Sequence, residues 1–286
     1  MSGEQLKVAI QGERGAFSHE AAVRALGSGV EVLPRATFDE LFDAVVEGRA
    51  DRGVVPIENS LHGSIHENYD RLKSRPLHIV GETQLRIRQC LIARPGSSLG
   101  MIRRVASHPV ALAQCRRFFA ERPQLEAVTA YDTAGAVQDL MKGGLATQAA
   151  IASRLAAQLH GGQVLLEGIE DDPENYTRFL VLACEPGPVE SANKTSIVFV
   201  LENVPGSLYR ALGAFASRGV DLCKLESRPL RGHPWEYSFY LDLLGDPRGA
   251  SGEALGELRA MARELRVLGS YPEGVGRDEA VTVSGP

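Results

Sequence analysis

The stretch KVAIQGERGAFSHEAAVRAL, residues 7–26, decides the fold class. It opens with an apolar run at 8–10, which is typical of a buried strand, and continues through a turn with glycines at positions 12 and 15. Ser18 is then predicted to be the N-cap of a helix whose alanines and leucine at 21, 22, 25 and 26 share one face. A strand, a glycine turn and a helix in this order indicate an α/β protein.

The same alternation continues outward from this stretch to about residue 184. Further strands are predicted at 30–33, 52–57, 89–93, 128–130 and 177–183, and a short apolar segment lies at 149–152. Further helices are predicted at 37–46, 64–73, 110–120, 133–141 and just before 161. The chain leaves its first α/β region near residue 82 and returns to it through the strand at 177–183. We therefore predict two lobes, 5–82 with 166–184 and 83–165, with a ligand cleft between them.

A second domain follows the Pro- and Gly-rich break at 185–188. The order β-α-β-β-α-β over residues 193–272 predicts a ferredoxin-like split unit. Residues 273–286 show no periodicity, and we predict a flexible tail there.

Composition limits the classes of partner. The chain has 286 residues and a net charge of -5, which argues against nucleic acid or an anionic membrane as the main partner. Four separated cysteines, no export signal and no apolar run of roughly 20 residues predict a reduced, cytoplasmic protein. The histidines lack ligand spacing and the glycine turn lacks a nucleotide pattern, so no metal or cofactor is predicted.

The residues Thr177-Arg178-Phe179 begin the last predicted strand of the first domain. A buried arginine cannot lose its charge and must find an anion, and the threonine hydroxyl points to the other strand face. This combination suits a small carboxylate substrate. Pairing of Arg178 with one of the acidic residues at 170–174 is an equally open interpretation.

Polar residues also follow other strands. Glu58, Asn59 and Ser60 come just after the strand at 52–57, where Asn59 can donate and accept at once. Ser107 is predicted to cap the helix that carries Gln114, and Thr133 follows a second cap at Asp132. Each of these patterns is also ordinary turn or cap chemistry, so both interpretations stay open.

The order of several motifs resembles the prephenate dehydratases. They are the residues at 15–18 (GAFS), 56–60 (PIENS), 107–109 (SHP), 168–169 (GI) and 177–179 (TRF). The segments at 205–209 (PGSLY) and 226–229 (ESRP) resemble the ACT regulatory domain fused to those enzymes. The resemblance implies a periplasmic-binding-protein-like catalytic domain over 5–184 and an ACT domain over 193–272.

The activity implied by this resemblance is the decarboxylating dehydration of prephenate to phenylpyruvate in L-phenylalanine biosynthesis, without a cofactor. Ala16 and the stretch at 132–136 are similar to arogenate dehydratases, which would make L-phenylalanine directly. A solute-binding protein without catalysis and an ACT-bearing transcriptional regulator are alternatives. The absence of an export signal, of a helix-turn-helix motif and of a basic patch counts against them.

The resemblance also implies roles for single residues. Thr177 would donate to the leaving hydroxyl group, with Glu58 as the competing acid if it is protonated. Arg178 would bind a substrate carboxylate, and Asn59 would orient the substrate. The other implied site residues are Ser107 and Gln114 for orientation and Phe179, Ser18, Ser60 and Thr133 for substrate binding.

The ACT-like segment implies feedback inhibition by L-phenylalanine. The residues expected to bind it are Gly206, Ser207, Leu208, Glu226, Ser227 and Arg228. Because ferredoxin-like units expose sheet and helix edges, we expect them to pair in a homodimer or homotetramer.

Overall fold

The computed structural model describes residues 5–230 and 232–274. The chain separates into two compact units, one formed by 5–65 with 83–179 and the other by 66–82 with 180–274. The division falls inside two strands, His78–Arg86 and Tyr176–Ala183. The predicted tail lies outside the described residues from position 275 onward.

The first two thirds of the chain alternate between strands and helices. In chain order the elements are β1 (Lys7–Gln11), α1 (Phe17–Leu26), β2 (Glu31–Arg35), α2 (Phe38–Val46), β3 (Arg52–Asn59), β4 (Gly63–Ser64), α3 (His66–Ser74), β5 (His78–Arg86), β6 (Cys90–Ala93), β7 (Arg104–Ser107), α4 (Pro109–Ala113), α5 (Arg116–Ala120), β8 (Glu126–Thr129), α6 (Thr133–Gly143), β9 (Gln148–Ala152), α7 (Arg154–His160), β10 (Gln163–Glu167) and β11 (Tyr176–Ala183). One sheet has the order β2-β1-β3-β11-β5, with β4 paired to β3. A second sheet has the order β10-β6-β9-β7-β8. The predicted α/β class is confirmed.

The second sheet is covered on both faces. One core cluster joins it to α6 and α7 through residues such as Val137, Ala150 and Ala156. The other joins it to α4 and α5 through Phe118 and Ile151. Ala16, from the glycine turn after β1, belongs to the α6 and α7 cluster, so this turn packs against the second lobe.

The helix caps and strands predicted from the local sequence are only partly confirmed. Thr37 caps α2 by accepting a hydrogen bond from the Glu40 amide at 3.2 Å, as the sequence predicts. Ser18 is not a cap: Ala16 occupies the N-cap of α1 without a side-chain hydrogen bond, and Ser18 is buried within the first turn. Four strands, β4, β5, β7 and β10, were not predicted, and β9 was expected only as a short apolar segment.

The helix predicted over 110–120 is two short helices. They are separated at Gln114 and Cys115 because a carboxylate from far along the chain caps the second one. Asp171 accepts hydrogen bonds from the amides of Arg116 at 3.0 Å and Arg117 at 2.8 Å. A capping residue this distant in sequence leaves no local signal.

The remaining elements form the predicted ferredoxin-like unit, namely β12 (Lys194–Val200), α8 (Ser207–Ala216), β13 (Leu222–Pro229), β14 (Tyr237–Leu244), α9 (Ala250–Met261) and β15 (Glu264–Tyr271). Their sheet has the antiparallel order β13-β14-β12-β15. Its core joins Phe199 and Leu241 to Phe215 of α8 and Leu258 of α9. The split βαββαβ fold is confirmed.

Helix α3 contacts this sheet. The Tyr240 hydroxyl donates to the Tyr69 carbonyl at 2.9 Å. Arg266 donates to the carbonyls of Leu72 at 3.2 Å and Leu77 at 2.7 Å, next to the carboxyl end of the helix. The contacts therefore group 66–82 with the C-terminal sheet, whereas the predicted lobes grouped them with the catalytic domain. Among the described residues, no helix is long and apolar enough to cross a membrane.

Candidate active site

The end of β3 and the start of β11 bring Asn59 and Thr177 together. Thr177 Oγ1 accepts a hydrogen bond from Asn59 Nδ2 at 3.0 Å, and both side chains are buried. Asn59 Oδ1 accepts from the backbone amides of Leu61 and His62, both at 3.0 Å. Because a backbone amide can only donate, these contacts fix which side of the Asn59 amide is oxygen. Its nitrogen is thereby turned toward Thr177.

A third side chain joins this pair. Asn175 is fully buried, and its Oδ1 accepts from Asn59 Nδ2 at 2.8 Å. The Tyr176 carbonyl accepts from the same nitrogen at 3.0 Å. Asn175 was not predicted as a site residue, because an asparagine in an acidic, Pro-containing segment is ordinary turn chemistry. Its position two residues before Thr177 was the available signal.

Glu58 and Arg178 are each one residue away from the Asn59–Thr177 pair. Glu58 precedes Asn59 within β3, which extends to Asn59 instead of ending at 57. Side chains alternate along a strand, so Glu58 and Arg178 point to the sheet face opposite Asn59 and Thr177. Phe179 returns to the Thr177 face and is buried.

Ser60 fastens the two strand ends to each other. Its hydroxyl donates to the Glu174 carbonyl at 2.7 Å and accepts from the Tyr176 amide at 2.9 Å. The Ser60 amide donates to the Tyr176 carbonyl at 2.8 Å. These bonds hold Asn59 beside Thr177 and use both roles of the Ser60 hydroxyl.

Ser107 does not cap a helix. It is the last residue of β7, is fully buried, and donates its hydroxyl proton to the Ile151 carbonyl at 2.6 Å. The N-cap of α4 is His108, whose Nδ1 accepts from the Val110 amide at 3.3 Å. The capping role that we predicted for Ser107 is therefore wrong, because Ser107 ends the strand β7, which was not predicted, and its side chain is buried.

Gln114 ends α4 instead of lying two turns inside a longer helix. Its Oε1 accepts from Gln89 Nε2 at 3.0 Å, and its carbonyl accepts from the Asp171 amide at 2.6 Å. The Gln114 side chain is mostly buried, and its amide nitrogen has no acceptor among the described residues. That nitrogen is a donor available to a ligand.

The glycine turn joins the two lobes. Gly15 has a φ of +95°, and a Cβ there would lie 2.7 Å from the Ala156 Cα atom in α7. Its carbonyl accepts from the Ser153 hydroxyl at 2.6 Å, and its amide donates to His19 Nδ1 at 3.0 Å. Burial, together with the charge of Arg14, lowers the pKa of His19 to about 4, so the ring is a neutral acceptor.

Asp132 caps α6, as the sequence predicts, because its Oδ1 accepts from the Gly135 amide at 2.8 Å. Thr133 begins that helix. Four predicted site residues of the catalytic part lie outside the two strand ends, namely Ser18, Ser107, Gln114 and Thr133. Across the described residues, no hydrogen bond or ion pair joins any of them to the Asn59–Thr177 pair. The roles predicted for them stay predictions.

The comparison with protein families decides the identity of the chain. The prephenate dehydratase model matches residues 8–186. The chain belongs to the prephenate dehydratase family. It is a dehydratase, a carbon–oxygen lyase of phenylalanine biosynthesis, as its curated relatives also indicate.

Among relatives, arogenate dehydratase/prephenate dehydratase 2 of Arabidopsis thaliana is 46% identical over 95% of this chain and 74% of its own length. The structure of the quorum-quenching acylase GqqA is 37% identical, with a TM-score of 0.86 over 94% of this chain and 98% of that one. Prephenate dehydratase from Arthrobacter aurescens, solved in complex with L-Phe, is 33% identical, with a TM-score of 0.83 over 93% of this chain and 90% of that one. The predicted periplasmic-binding-protein-like fold of the catalytic part is confirmed by such neighbours.

The predicted cytoplasmic location is wrong on this comparison. Several of the dehydratases from Arabidopsis thaliana are chloroplastic proteins. Our prediction rested on separated cysteines and on a missing export signal. Reduced thiols are compatible with either compartment, so this evidence could not distinguish them.

The residues predicted to bind L-phenylalanine lie in the second unit of this dehydratase. Gly206, with a φ of +80°, is the N-cap of α8 and directly precedes Ser207 and Leu208. On β13, Glu226 lies 3.3 Å from His66 Nε2, and Arg228 Nη2 lies 3.2 Å from Asp70 Oδ2. Ser227 points to the opposite face of that strand. The effector site therefore stays a prediction in which Glu226 and Arg228 already have partners on α3.

Proposed function

We propose that this dehydratase converts prephenate to phenylpyruvate, with arogenate as the alternative substrate. One observation carries the proposal. Thr177 Oγ1 accepts from Asn59 Nδ2, and its own proton has no acceptor among the described residues. A buried hydroxyl in this arrangement can donate to a ligand oxygen without breaking another hydrogen bond.

The chemistry needs such a donor. The ring carboxylate of prephenate leaves as carbon dioxide, and the electrons of the broken C–C bond enter the ring as the C–O bond to the para hydroxyl breaks. The departing hydroxide must be stabilised by a hydrogen bond or a proton, and it becomes water by taking up one proton that comes in the end from solvent. The products are then phenylpyruvate, carbon dioxide and water. We assign the role of that donor to Thr177, and aromatisation drives the step.

Asn59 makes the threonine a better donor. A neutral hydroxyl is a weak acid, but the hydrogen bond that Thr177 Oγ1 accepts from Asn59 polarises its O–H group. The low exposure of both side chains strengthens this effect, since a buried hydrogen bond is less screened by water. Removing one preorganised donor of this kind typically costs about a hundred- to a thousand-fold in rate.

Strand alternation favours Thr177 over Glu58 as the proton donor. Asn59 and Thr177 share a face, and Glu58 points to the other one. Arg178 also points to the strand face opposite Thr177. To bind a substrate carboxylate, its guanidinium would therefore have to reach past the start of β11. We keep this role as a proposal, since the long arginine stem permits such a reach.

We also propose that L-phenylalanine inhibits the enzyme by binding near Gly206 in a dimer of ferredoxin-like units. The positive φ of Gly206 turns the chain sharply before α8, and backbone amides in the first turn of a helix can bind a carboxylate. The Arthrobacter aurescens enzyme, solved with L-Phe, is a precedent for the ligand.

The substrate is tested by parallel turnover of prephenate and arogenate on the full chain. Phenylpyruvate is followed by its ultraviolet absorbance, and L-phenylalanine from arogenate by chromatography. We expect product from prephenate, and a higher kcat/KM for arogenate would assign the enzyme to the arogenate dehydratases. Failure to form either product at any enzyme concentration would overturn the proposal and favour a non-catalytic carboxylate-binding protein.

A further inference from the structure

Asn175 combines a bonded oxygen with an unpaired nitrogen. The side chain is fully buried. Its Oδ1 accepts from Asn59 Nδ2 at 2.8 Å, whereas its Nδ2 has no hydrogen-bond partner among the described residues. A buried donor without a partner costs about 1–3 kcal/mol of stability. Asparagine at this position is therefore unfavourable for folding by itself.

The hydrogen bonds of Asn59 require the Asn175 amide nitrogen to stay without a partner. Asn59 Oδ1 is held by the backbone amides of Leu61 and His62, so Asn59 can present only its nitrogen to Asn175. Turning the Asn175 amide over would place one NH₂ group against another. The oxygen of Asn175 must face Asn59, and its nitrogen must face away.

The oxygen of Asn175 also governs the bond to Thr177. Asn59 Nδ2 carries two hydrogens and has three acceptors within 3.0 Å, namely Asn175 Oδ1, the Tyr176 carbonyl and Thr177 Oγ1. The shortest contact, to Asn175, takes one hydrogen and fixes the plane of the amide. The second hydrogen is then shared between the Tyr176 carbonyl and Thr177 Oγ1.

We propose that Asn175 is a positioning residue for the dehydration. By holding Asn59, it keeps Thr177 Oγ1 as an acceptor and leaves the Thr177 proton for the leaving hydroxyl group. This inference rests on the proposed role of Thr177. An aspartate would supply the same oxygen but would add a negative charge beside an anionic substrate, and a leucine would supply no oxygen.

The test compares Asn175→Leu and Asn175→Asp in the full chain. In Asn175→Leu both Asn59 hydrogens still have acceptors, but the amide plane is no longer fixed. We expect kcat to fall about 10- to 100-fold, equivalent to about 1.4–2.8 kcal/mol in the barrier, with KM changed less than about twofold. Asn175→Asp keeps the oxygen, so its kcat should exceed that of Asn175→Leu about fivefold or more, with a raised KM.

Asn68→Leu is the matched control, because Asn68 is also fully buried but lies on α3 in the other unit. Like Asn175→Leu, it replaces a fully buried amide with an apolar side chain of similar size. It should leave kcat per folded molecule unchanged. This contrast separates a positioning role from a merely structural one.

Three results would overturn the inference. They are a parental kcat in Asn175→Leu, equal loss of kcat in the two Asn175 variants, and a loss of activity that only follows the folded fraction. If Asn175→Leu fails to fold, the kcat of Asn175→Asp is used instead. A kcat near that of the parent supports the inference, and a loss of kcat equal to that of Thr177→Val contradicts it. If Thr177→Val itself keeps full activity, the proposed function of Thr177 fails instead.

Discussion

The neutral state of His19 supports the glycine turn. Its pKa of about 4 in the folded protein compares with about 6.5 in an unfolded chain. Between these values the unfolded chain binds a proton that the folded protein does not. The stability that neutral His19 contributes is therefore present above about pH 6.5 and is lost as the pH falls toward 4.

We expect His19→Asn to flatten this pH dependence. The Asn Oδ1 atom can replace His19 Nδ1 as the acceptor of the Gly15 amide but does not titrate. Between pH 7 and 4.5, the parent should lose roughly 2–3 kcal/mol more unfolding free energy than the variant, because a tenfold change in proton affinity is equivalent to about 1.4 kcal/mol. Urea unfolding at the two pH values measures this difference. Equal losses would show that His19 is not held neutral.

Residue types at the site could be predicted, but their contacts could not. Thr177 and Asn59 were predicted from their places at strand ends, and the structure brings them together. Asn175 was missed because the hydrogen bond to its Oδ1 comes from a residue 116 positions away. Ser107 was misplaced because it ends a strand, β7, that was not predicted, so its side chain is buried instead of capping a helix.

At the scale of elements, the contact between the glycine turn and α7 depends on the absence of a side chain at Gly15. Both Gly15 and Gly27 have φ near +90°, but a Cβ at Gly27 would meet nothing within 4 Å. We expect Gly27→Ala to cost only the backbone strain, about 1–3 kcal/mol, because Gly27 combines a positive φ with a ψ of 165°. Gly15→Ala should cost about 1–3 kcal/mol more, because its Cβ overlaps the backbone of α7.

Denaturant unfolding of the two glycine variants measures this difference, and turnover per folded molecule measures its effect on the site. Gly15→Ala should also lower kcat, because Gly15 carries the lobe-joining bond from Ser153. Equal stability of the two variants would mean that the turn moves away from α7 without loss. The close approach could not be predicted, because the sequence shows that a glycine is present but not which backbone lies against it.

At the scale of the whole molecule, the order of elements was predictable and the assignment of 66–82 was not. Helix α3 lies within the predicted first lobe, but it contacts the C-terminal sheet. The residues that make these contacts, such as Arg266, lie nearly 200 positions further along the chain. A chain ending near residue 188 would lose these contacts, so regulation is better tested in the full protein.

Two glycines at the ends of α8 provide that test. Gly206 and Gly219 both have positive φ, +80° and +64°, and only Gly206 lies in the proposed effector site. We expect Gly206→Ala to raise the inhibitory concentration of L-phenylalanine about tenfold or more, equivalent to about 1.4 kcal/mol of binding. Gly219→Ala should be inhibited as the parent is. Inhibition curves on prephenate measure both, and an unchanged curve for Gly206→Ala would place the effector elsewhere.

The central claim is that the Thr177 hydroxyl assists the departure of hydroxide, and the most direct test is kcat on prephenate for Thr177→Val, Thr177→Ser and Glu58→Gln. Valine keeps the branched shape but removes the hydroxyl, so kcat should fall about a hundred- to a thousand-fold, whereas serine should keep most of it. Glu58→Gln should stay within about tenfold of the parent, because Glu58 points to the other strand face. Near-parental turnover by Thr177→Val, together with an inactive Glu58→Gln, would contradict the account and assign the proton to Glu58.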